Sequence, residues 1–184
     1  MSVVKDNLPQ KVIDAIKDVP PLPDVVVEVM RITRNPNTTA KQLTQVISKD
    51  QGLTGNVLRL CNSAYYGIPR TISSLNQAVM YLGFHTVRNL VLTCSIHSFY
   101  NPRAKIYGYE RGGLWIHVLA CARVCDLICE KIRPDLRDTG YTAGLLHDLG
   151  QLIIGTQIGD SADTIVDLMA NDGLGELLAE KEVV

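Results

Sequence analysis

Residues 114–132, "LWIHVLACARVCDLICEKI", form one long, strongly apolar stretch that breaks at "RPDLRD" (133–138). A second apolar stretch, "TGYTAGLLHDLGQLIIGTQIG" (139–159), follows at once. Neither shows the apolar–polar alternation, bounded by turns, of a half-buried strand. Two helices are therefore expected, and if they fold back across "RPDLRD" they form a hairpin. The second stretch also poses a chemical question. His147 and Asp148 stand side by side in it, where a core helix would favour Leu or Val.

The rest of the chain reads the same way. "KVIDAIKDV" (11–19) is a short helix that stops at "PPLP", where prolines force an extended path. Pro23 suits the first turn of a helix through "DVVVEVMRITR", in which Val25, Val29 and Ile32 recur at helical spacing despite the β-branched content. After the turn "NPN", Leu43, Val46 and Ile47 make one stripe, and Leu53, Val57, Leu58 and Cys61 make the next. Ser74 and Gln77 have the spacing of a capping box. The helix they open, "LNQAVMYL", ends at Gly83, and "HTVRNLVLTCSIHSFY" is another. "NPRAKIYGYERGG" (101–113) has the turn residues of a connection, and "SADTIVDLMA" and "LGELLAEKEVV" are further helical stretches. The expected fold is all-α: a multi-helix bundle of two packed lobes, spanning 12–100 and 108–184.

Composition narrows the functional classes. A formal net charge of −1 over 184 residues gives no global pull toward nucleic acid or anionic membrane. No apolar run reaches the roughly 18 residues that a membrane span needs. "MSVVKDNLPQ" lacks a signal-peptide pattern, so a cytoplasmic location is expected. Five cysteines with no CxxC pair fit thiols in a reducing compartment.

Adjacent helical residues point about 100° apart, yet His147 and Asp148 can both reach an ion lying against the helix edge. An imidazole nitrogen beside a carboxylate oxygen suits iron, manganese, zinc or nickel more than calcium or magnesium. Further ligands must come from elsewhere. His117, on the preceding apolar helix, would face His147 across the hairpin. The plainer alternative is a hydrogen-bonded polar pair on a wet helix edge, and spacing alone favours it.

At this point the sequence resembles a known family. "GLLHDLG" after an upstream His is similar to the HD superfamily of metal-dependent phosphohydrolases, whose ligand order is His, His-Asp, then a distant Asp. More specifically, "PPLPDV", "LTGNVLRLCNSAYYG", "ISSLNQAVMYLGFHTVRNLVL", "LWIHVLACA" and "AGLLHDLGQL" resemble the HDOD domain, a bacterial signalling module related to HD-GYP phosphodiesterases. The resemblance runs from about residue 12 to the end and implies an HD-like second lobe. It also implies a regulatory or output role more than catalysis, with His117 at the first-His position and His147 and Asp148 as the doublet. The distant Asp has no assigned match: Asp160, Asp163, Asp167 and Asp172 follow the doublet, whereas the family's last ligand comes from a later helix. Gln151 stands where active HD-GYP enzymes typically have Lys, which removes a stabiliser of phosphoryl charge. "ELLAEKEVV" resembles a segment that the family continues with further helices. A C-terminally truncated domain, with an uncovered apolar surface favouring homo-oligomers, is therefore expected.

Other polar residues have plain readings. His117, Cys121, Cys125 and Cys129 recur every four residues and could share an ion, but "VLACARVCDLIC" reads more simply as core. His85 reads as a helix-start or surface residue, and His97 as a polar group near a helix C-terminus. Arg59, Arg70 and Arg88 with Tyr65 and Tyr66 have the ingredients of a nucleotide or RNA surface. Without a basic excess they read as a solvated face over core tyrosines, and nucleic acid is not an expected partner. The favoured function is a signalling module that contacts other signalling proteins or domains and keeps part of a metal site. A metal-dependent phosphohydrolase acting on a nucleotide or cyclic dinucleotide is the alternative. Nucleotide or RNA binding by the first lobe comes third.

Overall fold

The computed structural model describes residues 8–17, 19–97, 99–100, 106, 109–110, 112–158 and 162–183, the side chains of Leu8 and Pro9 excepted. The helices are α1 (Leu8–Lys17), α2 (Asp24–Ile32), α3 (Ala40–Ile47), α4 (Gln51–Cys61), α5 (Leu75–Leu82), α6 (Phe84–His97), α7 (Gly113–Ile132), α8 (Arg137–Leu146), α9 (Leu149–Ile158), α10 (Ala162–Asn171) and α11 (Glu176–Val183). Among the described residues, the one extended pairing is an isolated bridge between Ile106 and Tyr109. The fold is all-α, as the periodicity requires.

Local signals set most helix starts. Thr39 accepts from the Gln42 amide while the Gln42 side chain returns to the Thr39 backbone, a complete capping box at α3. Ser74 accepts from the Gln77 amide at α5, but the Gln77 side chain turns to Ser73 instead, so only half of the expected box forms. Pro23 sits at the N-cap of α2, one position before the first turn. Gly83 separates α5 from α6 at φ 81°, a left-handed conformation that a β-carbon would strain.

α6 packs against α2, α4 and α5 and also touches α8. Val26 and Val29 of α2, Leu43 and Ile47 of α3, Val57 of α4 and Val87 of α6 are fully buried. Leu145 of α8 and Ile165 of α10 are equally buried. Each such side chain contributes about 1.5–3 kcal/mol by leaving water. α1 packs on α9, and α10 packs on α11. No helix among the described residues is long and apolar enough to cross a membrane. Most of the connection expected at 101–113 lies outside the described residues.

The hairpin of α7 and α8 is the most extensive helix contact in the chain. Its closeness follows from glycine. A β-carbon on Gly144 would lie 2.7 Å from the Ala122 α-carbon and 2.8 Å from the Cys121 carbonyl oxygen. One on Gly140 would lie 2.6 Å from the Cys129 sulfur. Bare backbone on α8 therefore lets it lie flush against α7.

Candidate metal centre

The tight hairpin brings His117 of α7 beside the His147–Asp148 doublet. Asp148 Oδ2 lies 3.2 Å from His117 Nε2 and 2.9 Å from His147 Nε2. The two imidazole centroids are 5.3 Å apart. All three residues proposed from sequence thus meet at one place. Their side chains keep 39%, 38% and 24% of their surface, so an ion can enter from solvent.

The doublet is not inside a continuous helix. The expected helix over 139–159 breaks at His147 and Asp148, with α8 ending before them and α9 starting after. The cause is local. His147 Nδ1 donates to the Gly144 carbonyl at 2.9 Å, the group an unbroken helix offers to the amide of Asp148. A nitrogen that donates there leaves Nε2 with its lone pair in the neutral ring. That lone pair faces a carboxylate oxygen at 2.9 Å, and such a contact is favourable only with a proton or a cation between the two atoms. Fixing a ligand imidazole through its other nitrogen is also the usual support of metal-binding histidines.

A fourth donor is present that the sequence reading placed in the core. Cys121 Sγ is 3.6 Å from His117 Nε2, and His117, Cys121 and His147 offer donor atoms that all lie within 4.8 Å of one another. The half-buried Cys121 is set on the donor side because His117 and Cys121 share one face of α7, one turn apart.

The surroundings carry uncompensated negative charge. Burial, with help from the Asp148 carboxylate, pushes the hydroxyl of Tyr100 up to about 12. The same two causes raise Tyr109 and the Cys121 thiol, and they raise Glu176, where the neighbouring Glu180 also acts. Among the described residues no Lys or Arg pairs with Asp148. A cation placed beside Asp148 would be favoured electrostatically.

From the later part of the chain, Glu176, at the start of α11, lies near enough to Asp148 to feel its charge. Its Oε1 accepts from Gln151 Nε2 at 2.6 Å. Asp163 and Asp167 sit on α10, Asp172 follows it, and Asp160 lies outside the described residues. A shallow cleft of about 250 Å³ along α9 is lined by Ala15, Val19, Phe99, Leu149, Leu152 and Ile153 among others, without a basic side chain.

A second polar cluster was missed. His85 stands at the start of α6, one of the two readings given to it, and is a half-buried bridge instead of a surface residue: Nε2 lies 2.9 Å from Asp126 Oδ1 and Nδ1 2.7 Å from Asp138 Oδ1. Arg137 grips both oxygens of Asp126, at 2.9 and 3.2 Å, and Arg123 joins one of them. Arg88 turns inward at 3% exposure, touching Asp138 at 3.1 Å and donating to Thr33 and Asn89. Of the arginines weighed for RNA, Arg88 is therefore inaccessible, Arg59 bonds Asn56, and Arg70 bonds the Tyr81 hydroxyl. His97, the last residue of α6, meets the Trp115 ring edge-on at 4.9 Å.

An all-α bundle with His and His-Asp facing each other across a helical hairpin defines a protein of HD-like class. The family comparison makes this specific: the HDOD domain matches residues 19–184, and the chain belongs to that family. A crystal structure of an HDOD domain protein with unknown function from Geobacter sulfurreducens is 29% identical, with a TM-score of 0.71 over 96% of this chain and 60% of its own. A Shewanella amazonensis SB2B protein provisionally described as a phosphohydrolase is 30% identical, with a TM-score of 0.65 over 97% and 61%. A Marinobacter aquaeolei VT8 protein provisionally described as a signal transduction protein shares the fold, at 22% identity and a TM-score of 0.68 over 99% and 45%. The chain thus spans 45–61% of the length of these solved relatives.

Proposed function

We propose that the chain is a regulatory module of bacterial, cytoplasmic signalling that acts by contact with other signalling proteins or domains and holds a metal ion without hydrolysing phosphate esters. His117, His147 and Asp148 would hold the ion, which belongs to the iron, manganese, zinc and nickel group. One observation carries the non-catalytic part. The donors gather at one point, but among the described residues no Lys or Arg pairs with Asp148 to meet a phosphoryl group. Gln151, at the position of the hydrolases' Lys, is spent on Glu176, and the cleft along α9 has no basic side chain in its lining. A phosphate would bring its charge against Asp148 and Glu176.

The hydrolase reading keeps one support, the description of the Shewanella relative as a phosphohydrolase. In that reading a bound metal would supply Lewis acidity and an activated water. Metal analysis of protein purified without chelator, with His147→Ala as control, separates the two. The expected result is near-stoichiometric metal, lost in the variant, with no turnover of bis(p-nitrophenyl) phosphate. Metal-dependent turnover that the variant abolishes would overturn the proposal in favour of the hydrolase.

A further inference from the structure

We infer that Cys121 is a metal ligand, and that it closes the shell of His117, His147 and Asp148 into a zinc site with a thiolate donor. The inference rests on the metal reading above and goes further by naming the fourth donor and the metal.

Three edges of such a tetrahedron are close to formed. Tetrahedral zinc with bonds of about 2.3 Å to sulfur and about 2.0–2.1 Å to nitrogen sets those two ligands about 3.6 Å apart, and sets nitrogen or oxygen ligands about 3.3 Å apart. The Cys121 Sγ to His117 Nε2 distance is 3.6 Å. The Asp148 Oδ2 distances to His117 and His147 are 3.2 and 2.9 Å. The thiol and both imidazoles lie within 4.8 Å of one another, and Asp148 joins that group through the two imidazoles.

The chemistry selects zinc within its group. A thiolate is a soft donor, and with two imidazoles and a carboxylate it favours zinc over manganese. A thiolate, not a thiol, binds the metal, so the thiol proton leaves to solvent as the metal–sulfur bond forms. A shell of four protein donors also leaves no position for a reactive water, as in structural zinc sites.

Cobalt(II) substitution of the intact chain tests this. The wild type should show the intense near-ultraviolet thiolate-to-cobalt charge-transfer band and a tetrahedral visible spectrum. Cys121→Ser should lose the band and bind zinc on the order of a hundredfold more weakly, because a direct ligand matters at least as much as the groups that merely orient one. Cys129→Ser, two turns further along α7, should keep both, and circular dichroism checks that each variant is folded. Metal bound without the band, with equal affinity in Cys121→Ser, would overturn this inference and leave the His117–His147–Asp148 reading standing. Failure of wild-type protein to bind zinc or cobalt would overturn both.

Discussion

Two histidine–carboxylate clusters lie on the same helical hairpin, and they are opposite in kind. Around His85, the carboxylates of Asp126 and Asp138 are met by Arg88, Arg123 and Arg137. Around His117 and His147, Asp148 pairs, among the described residues, with imidazoles alone. The first cluster carries its own cations; the second, among the described residues, has no guanidinium or ammonium group against its carboxylate. Carboxylate and imidazole spacing alone would not tell them apart. The neighbouring guanidinium groups do.

The difference has measurable consequences. The largest belongs to the arginine-filled cluster. Asp126 is 1% exposed, and Asp126→Asn would leave Arg137 and His85 facing a neutral group, so the variant should lose about 3 kcal/mol in urea denaturation. The loss sits at the low end for a broken buried pair, since Arg123 and Arg137 keep some solvent. A change below about 1 kcal/mol would make this cluster as dispensable as the other.

Next comes the seam between the helices. Gly144→Ala forces a methyl group into the backbone of Ala122, which cannot yield as a side-chain tip can. A loss of about 1–3 kcal/mol is expected, together with weakened zinc binding as His147 moves from His117. Unchanged zinc affinity would show that the doublet adjusts independently of α8.

Acid should weaken the arginine-filled cluster. Burial raises Asp126 and Asp138, but the hydrogen bonds and charges of Arg137, His85 and Arg88 outweigh it and hold both carboxyls below their ordinary value of 3.8. Groups with lowered folded values stabilise the protein above the ordinary value. That contribution is lost as pH falls from there through the lowered ones. Stability measured from pH 6 to pH 2 should therefore fall below about pH 4, and the fall should be shallower in Asp126→Asn.

The smallest effect on stability should come from His147→Ala in the presence of chelator. The ring is more than a third exposed and its main bond is to a helix-end carbonyl, so the change should stay within about 0.5 kcal/mol. Denaturation with and without added zinc should then coincide for the variant and separate for the wild type.

The sequence carried the helices and the three donors unequally well. Apolar periodicity marked α2 to α6 and the α7–α8 hairpin because each buries one stripe, and periodicity reports stripes. It did not show the break at His147, since a side chain that takes a backbone carbonyl leaves the apolar pattern intact. Cys121 read more simply as core because a thiol is as apolar as its neighbours, although its spacing from His117 allowed a shared ion; the structure sets its sulfur 3.6 Å from His117 Nε2. His85 and Arg88 looked like surface because their partners, Asp126 and Asp138, lie on other helices. A charge that is neutralised across helices gives no local sign of burial.

The imidazole of His147 ends α8 with one nitrogen and presents the other to the metal-competent pocket. Above that ring, Tyr141 is tied to Thr93, and the Leu145 carbonyl accepts from Tyr100. The residues that lead into the His147 turn are thereby tied to α6 and to Tyr100, so a shift of that ring along the hairpin would meet bonds anchored outside it.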